Sequence, residues 1–229
     1  MIRRSSGELV AAHLRRMVFD GEYKPGDRVR QDEIAAELGV SRIPVREAII
    51  ALDREGWVTV EPHRGAFVRG IDADYVRDHY ELYGLVFGLL AARVAERADD
   101  AGLELLLVDA AAVVAVGDDP KAFNDRNRAF LVTLEEVARA PRLTSMARVM
   151  TSLVPGNFFR EIPGAIDAQR RGVAAVTEAI EARDPARASL EFRTLLRGQG
   201  EAVVALLEAR GIFTQAQAQA KAAGVAAGS

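Results

Sequence analysis

Apolar residues recur at helical spacing along most of this chain, with one short interruption near residue 60. Leu9, Ala12, Leu14 and Val18 supply much of the apolar side of a helix over about residues 7–19, with Ser6 placed to cap it. Lys24-Pro25-Gly26-Asp27 is a turn. Ile34, Ala35 and Leu38 mark a second helix from Gln31, ended by Gly39, a residue that tolerates positive φ. Ser41 caps a third helix that runs to about Glu55, and Pro44 falls in its first turn, where a missing N–H costs nothing. Gly56 stops it. Trp57 to Val60 and Ala66 to Val68 then read as two strands around the tight turn from Glu61 to Gly65.

Beyond a linker at Gly70-Ile71 the pattern is helical throughout. Helices are expected from Asp72 or Asp74 to about Ala98, and from Asp99 to Gly117. Asp118-Asp119-Pro120 opens a third, and Pro141 a fourth that ends at Pro155-Gly156. A fifth covers about 165–183, and Asp184-Pro185 opens the last, to Arg210-Gly211. The fold class is mostly α: three helices and a hairpin over 1–70, then an antiparallel bundle of about six helices over 71–212. The Ala- and Gln-rich tail, 213–229, has few large apolar residues and is expected to be disordered.

Composition narrows the possible functions. With 229 residues, 49% of them hydrophobic, the chain can bury two cores. Its net charge of −3 predicts no polyanion partner, but the charge is uneven: residues 1–70 carry +1 and the remainder −4. The first part is free to present a local basic face. The absence of cysteine excludes disulfides, thiolate zinc fingers and a cysteine nucleophile. The three histidines, His13, His63 and His79, lie far apart, so no metal site and no cofactor is expected. No apolar run reaches the length of a membrane span and residues 1–16 hold no signal-peptide core, so the expectation is a cytoplasmic protein away from membranes. Nucleophile-elbow, phosphate-loop and dinucleotide glycine patterns are missing. Asp99-Asp100 and Glu135-Glu136 read as solvated faces, not an acid–base pair. An enzyme is therefore not expected.

The segment from Gln31 to Glu55 carries the most specific chemistry. Two helices around a short turn at Gly39 form a helix-turn-helix, and recognition helices touch base edges with their N-terminal residues. Here that stretch is Ser41, Arg42, Ile43, Pro44, Val45, Arg46. Arg42 and Arg46 lie four apart on one face and suit guanine edges or phosphate. Ser41 and the free N–H groups at the helix start suit a phosphate oxygen. The hairpin is a wing with His63, Arg64 and Gly65 at its tip, two donors beside a glycine that permits close approach to a groove. The same arginines would also be ordinary on a solvated helical hairpin. The basic wing tip and the Trp57 anchor favour double-stranded DNA.

This stretch resembles the winged-helix domain of the GntR family of bacterial transcription regulators. The match runs through Leu38-Gly39-Val40-Ser41-Arg42-Ile43-Pro44-Val45-Arg46-Glu47-Ala48, Leu52, Glu55-Gly56-Trp57 and Arg64-Gly65-Ala66-Phe67-Val68. The resemblance implies a homodimer, repressor or activator, on a short palindromic operator. Where many relatives place an arginine early in the second helix, this chain has Asp32, and Arg28 or Arg30 takes over part of its electrostatic role. The remainder resembles the family's FadR-type all-helical effector domain, FCD, through Leu90-Ala91-Ala92-Arg93 and Asp184-Pro185-Ala186-Arg187-Ala188. Many relatives hold a divalent metal there through an aspartate and three histidines. Those positions align with Asn127, Leu131, Val173 and Leu195, and no histidine follows residue 79, so the resemblance implies no metal here. Positions where relatives carry an arginine and a glutamate for acidic effectors read Tyr83 and Phe87.

The resulting expectation is an apolar effector pocket formed by Tyr80, Tyr83, Phe87, Asn127, Leu131, Val173, Thr177 and Leu195, suited to an apolar or amphipathic, acyl-type effector. Each of these residues taken singly also reads as core. Two rival functions remain: an effector-independent architectural DNA-binding protein, and an enzyme of unknown reaction.

Overall fold

The first helix starts one residue earlier than its sequence pattern implies, because Ser5 rather than Ser6 is the cap. Ser5 Oγ accepts from the Glu8 amide at 3.2 Å, and Glu8 returns a carboxylate to the Ser5 amide at 2.9 Å. This reciprocal pair satisfies two free donors at the start of α1, Ser6–Phe19. The computed structural model describes residues 5–150 and 153–213, and the tail expected over 214–229 lies outside them. The chain forms two compact units, one from residues up to 75 together with the chain from 207, the other from 76 to 206.

In the first unit, α1 buries Val10, Leu14, Val18 and Phe19, and α3, Arg42–Arg54, buries Val45, Ala48, Ile49 and Leu52. The Arg15 guanidinium forks onto the Glu55 carboxylate at 3.0 and 2.8 Å and ties α1 to the end of α3. Between them α2, Gln31–Glu37, buries Ile34 and Ala35, and the chain leaves it through Gly39 at φ +63°. Strands β1, Val58–Glu61, and β2, Gly65–Val68, pair antiparallel from Val58 opposite Val68 to Glu61 opposite Gly65. The Val29 amide donates to the Ala66 carbonyl at 2.8 Å, so the segment before α2 joins the wing as a third short edge.

The second unit is helical, and seven helices lie wholly or mainly in it. These are α4, Ala73–Arg97; α5, Asp100–Ala115; α6, Pro120–Ala138; α7, Pro141–Val149; α8, Phe158–Glu161; α9, Ala165–Glu181; and α10, Pro185–Ala209. Asp99, Asp119 and Asp184 cap α5, α6 and α10 by accepting from the amides of Gly102, Ala122 and Arg187 at 2.8–2.9 Å. The sequence pattern implies six helices, with the fourth extending to Pro155. The chain instead leaves α7 at Met150, whose backbone is extended, and re-enters a single turn, α8, capped by Asn157. That turn buries the adjacent rings of Phe158 and Phe159. Helices α4 and α10 approach closely through glycines. A Cβ on Gly88 would lie 2.9 Å from the Ser189 carbonyl oxygen, and one on Gly200 would lie 2.8 Å from Tyr80 Cβ.

Candidate functional site

The DNA-facing chemistry gathers in the first unit around one surface concavity of about 390 Å³. Arg28, Arg30, Arg42 and Arg46 line it, with Asp32, Glu33 and Gly65 of the wing. Each arginine is placed by its local fold. The inward stripe of α3 turns Arg42 and Arg46 outward, and both are exposed. Arg28 pairs with Phe67 of β2 as an isolated bridge, and its Nε would sit 3.2 Å from a Cβ at position 65. Glycine at 65 is favoured by its φ of +110°, and it lets the guanidinium lie close against the wing.

Several of these cations are already paired. Asp32 holds the Arg42 guanidinium at 2.6 Å, and Glu33 holds that of Arg30 at 3.0 Å. Arg64 is bound by Glu61 and lies 5.6 Å over the Phe67 ring. Arg28 and Arg46 have no carboxylate partner among the described residues. Ser41 occupies the cap position of α3, but its hydroxyl makes no capping hydrogen bond and remains available to a phosphate oxygen. Ile43 is 68% exposed beside it, an apolar side chain suited to a thymine methyl. Pro44 fills the first turn, and His63, at φ +63°, turns the wing tip. The residues predicted to touch DNA thus fall on α3 and the wing, joined by Arg28 and Arg30.

The Asp32–Arg42 pair has a measurable consequence. Replacing Asp32 with alanine removes a negative charge from the face expected to meet phosphates and frees Arg42. Asp32→Ala should therefore tighten binding to scrambled duplex and steepen its salt dependence by about one counterion. Affinity titrations of scrambled DNA at two salt concentrations read this directly, and an unchanged slope would show that Asp32 lies off the contact face.

In the second unit a chamber of about 280 Å³ opens between α4, α6, α8, α9 and α10. Of the eight predicted pocket residues, Tyr80, Tyr83, Phe87, Asn127 and Leu131 line it. Leu195 lines a neighbouring trough instead. Val173 and Thr177 line neither: both are buried, and the Thr177 hydroxyl donates to the Val173 carbonyl at 2.6 Å, one turn back on its own helix. On α9 the chamber is lined by Gln169, one helical turn before Val173, and on α10 by Phe192, Leu196 and Gln199, which flank Leu195. On α9 the predicted Val173 lies one turn beyond the lining residue, and on α10 the predicted Leu195 lies beside the lining Leu196 but on the adjoining face. Sequence reasoning missed Phe158 and Phe159 because α8 was not foreseen. Phe192 and Leu196 were legible as apolar positions but indistinguishable from core.

Three amides cross this chamber in series. Gln199 Nε2 donates to Gln169 Oε1 at 2.5 Å, and Gln169 Nε2 donates to Asn127 Oδ1 at 2.7 Å. Gln169 is only 3% exposed, so both ends of its amide are satisfied by this chain. The chamber also carries aromatic rings: Tyr83 edge-on to Phe87 at 4.9 Å, and Phe87 stacked on Phe192 at 5.2 Å. Burial pushes the Tyr83 phenol up to about 12, so it remains a neutral hydrogen-bonding tip at physiological pH. The positions relatives use for metal hold one amide and three aliphatic side chains here. Leucine and valine offer no donor, so these residues do not fit a divalent cation. Among the described residues no cluster of three or more His, Asp or Glu comes together, and no helix is long and apolar enough to cross a membrane.

Comparison with known proteins agrees with both units. Residues 7–68 match the model of bacterial regulatory proteins of the gntR family, and residues 78–198 match the FCD domain. An uncharacterized HTH-type transcriptional regulator of Mycobacterium tuberculosis is 32% identical over 193 residues, covering 83% of this chain and 78% of its own length. The Nta operon transcriptional regulator of Aminobacter aminovorans is 34% identical over 90 residues, 39% of this chain and 43% of its own. The crystal structure of a GntR-family regulator from Pseudomonas syringae pv. tomato has the same fold, with a TM-score of 0.53 at 21% identity over 90% of this chain and 87% of that one. A helix-turn-helix with a basic wing, followed by a helical effector domain, makes the chain a DNA-binding transcription regulator and not an enzyme, and it belongs to the GntR family of bacterial regulators, in the FadR-type branch that carries an FCD domain.

Proposed function

We propose that the protein binds a short palindromic operator as a homodimer and releases or grips it in response to an amphipathic, acyl-type effector held in the helical unit. The observation that carries the effector reading is the chamber itself, whose lining combines aromatic rings with a hydrogen-bonded amide series. Such a lining favours a molecule with an apolar body and one hydrogen-bonding end over a compact dicarboxylate. DNA-binding residues in this reading are Ser41, Arg42, Ile43, Pro44, Arg46 and the wing residues His63, Arg64 and Gly65. Coupling needs the effector to prefer one arrangement of the helices. Helices α4 and α10 supply six chamber residues, and they are also where the chain passes between the two units, after Tyr75 and after Leu206.

The dimer reading rests on α4. Leu82, Leu85 and Leu89 recur on one face and are 56%, 38% and 46% exposed, an apolar stripe of the kind that a second copy covers. A single winged helix reads few base pairs, so a palindrome needs two. Leu82→Glu combined with Leu89→Glu should give a monomer by sedimentation, with operator binding reduced more than 10-fold, on the order of 1.4 kcal/mol or more. A wild-type protein that sediments as a monomer at micromolar concentration would overturn the dimer. The effector reading is tested by thermal shift of metal-free protein against zinc, nickel, dicarboxylates and acyl compounds. Stabilisation by acyl compounds is the expected result. Stabilisation by metal or by small dicarboxylates alone would overturn it.

A further inference from the structure

We infer that Asp32 reads a base: its carboxylate accepts a hydrogen bond from the N4 amine of a cytosine in each half of the operator, within one base step of the position met by Arg42. This rests on the DNA-binding reading above and adds to it a residue on α2. Asp32 Oδ1 lies 2.6 Å from Arg42 Nε, so the carboxylate stands at the start of α3, where a recognition helix meets base edges. Both side chains are exposed, and both line the concavity that also holds Arg28 and Arg46. Arg42 is the only partner of the Asp32 carboxylate among the described residues. The neighbouring acidic residues are placed differently. Glu33 is held by Arg30, three residues before it in the chain, and Glu61 by Arg64 within the wing. Of these three carboxylates, Asp32 is the one paired to the recognition helix.

DNA treats the two members of this pair unequally. Every duplex offers Arg42 a phosphate or a base acceptor in exchange for Asp32. Few groups in a duplex offer Asp32 a donor in exchange for Arg42. Phosphate oxygens are acceptors, and so are O6 and N7 of guanine and O4 of thymine. A carboxylate pressed against them loses its cation and its water together, and an ionised group left without a partner costs more than a neutral one. The exocyclic amines of the major groove are the exception. Cytosine presents its N4 amine with no acceptor of its own beside it, whereas adenine sets N7 next to its N6 amine, so cytosine is the better match. Asp32 thus selects against guanine and thymine by repulsion and for cytosine by attraction. A separation of 2.6 Å within the pair places the two residues on the same or adjacent base steps, which lie about 3.4 Å apart along a strand.

The test begins with selection of duplexes from a random pool by the full chain, with wild type, Asp32→Ala and Glu33→Ala in parallel. The enriched operator and its single-base variants are then titrated against each protein. Wild type and Glu33→Ala should both require cytosine at one position of each half-site, and guanine or thymine there should weaken binding about 5- to 150-fold. Asp32→Ala carries the same charge change as Glu33→Ala, yet it alone should accept all four bases at that position within about twofold. The position should lie within one base step of the one whose preference Arg42→Ala relaxes. The contact itself is read with N4-methylcytosine, which keeps the N–H that pairs with guanine and loses the one that faces the major groove. This base should weaken wild type at least about fivefold and leave Asp32→Ala within about twofold. An Asp32→Ala variant that keeps every base preference of the wild type overturns the inference. So does a Glu33→Ala variant that loses the same preference, or an Asp32-dependent position that favours guanine or thymine. In each of these cases the DNA-binding reading stands. If the wild type enriches no sequence at all, both fall.

Discussion

Arg46→Ala should weaken binding to the selected operator by about 1–3 kcal/mol, roughly 5- to 150-fold, and relax the preference at one base step. The magnitude follows from chemistry that only arginine supplies. Its planar fork places two N–H groups on the paired acceptors of a guanine edge, and alanine leaves those acceptors without a partner. Arg46 is also free to act: no carboxylate among the described residues holds it. Arg42→Ala should act in the same range, by a mixed route. It removes a contact, but it also strips Asp32 of the cation that neutralises it at 2.6 Å and leaves a bare carboxylate facing phosphates. Arg64→Ala should differ from both. In the proposed reading the wing tip lies against the DNA backbone, so its loss should be even across sequences and should reduce the salt slope by about one. Titrating specific and scrambled duplexes at two salt concentrations separates the three behaviours. If Arg42→Ala and Arg46→Ala both bind like wild type, α3 is not the reading helix.

The helical unit should respond most to Phe192→Ala. Phe192 is 2% exposed and stacks on Phe87 at 5.2 Å, so its ring supports both the α4–α10 contact and the chamber wall. Truncation of a buried phenylalanine costs about 3–5 kcal/mol, because lost transfer energy adds to the cost of an unfilled space. In a chain of this length that corresponds to a fall in Tm of about 6–20 °C. The same truncation enlarges an apolar wall of the chamber. A small aromatic such as benzene, which enters dry engineered cavities in other proteins, should recover part of the lost stability in Phe192→Ala and stabilise that variant more than it does the wild type. Calorimetry with and without the additive reads both effects. A loss below about 1 kcal/mol would mean that the neighbouring helices collapse onto the space and that the chamber wall is soft.

How far the sequence carried the reading depends on how local the signal was. The helix-turn-helix was legible almost residue by residue, because Gly39, Ser41, Pro44 and Gly56 act through backbone preferences that neighbours do not override. The capping box at Ser5 was missed by one residue, although Glu8 three positions on marks Ser5 and not Ser6. The lining of the chamber was legible on α4 and α6, where aromatic and amide residues stand out against an apolar background. On α9 it was displaced by one turn, because helical periodicity fixes a face but not a height along the axis, and on α10 it fell on Leu195, which lines the trough while its neighbour Leu196 lines the chamber. The turn α8 was invisible for a different reason: it follows the Pro155-Gly156 stop of the fourth predicted helix, and two adjacent phenylalanines within four residues give no periodic signal of their own. The ion pairs on the DNA face could not be read at all. Asp32 and Arg42 are ten positions apart on different helices, and only the fold makes them neighbours.

That pairing bears on how the protein finds its target. A regulator spends most of its life on the wrong DNA, since a genome offers about 10⁶–10⁹ competing sites to each correct one. Dwell time at each wrong site is set by the phosphate contacts that any sequence provides. With Arg30, Arg42 and Arg64 each already held by a carboxylate, a wrong site must displace Glu33, Asp32 and Glu61 to gain those contacts. The correct site faces the same displacement but adds base contacts that repay it. On the proposed DNA contacts, the three acidic residues should shorten unproductive stops and raise the fraction of copies free to sample the operator.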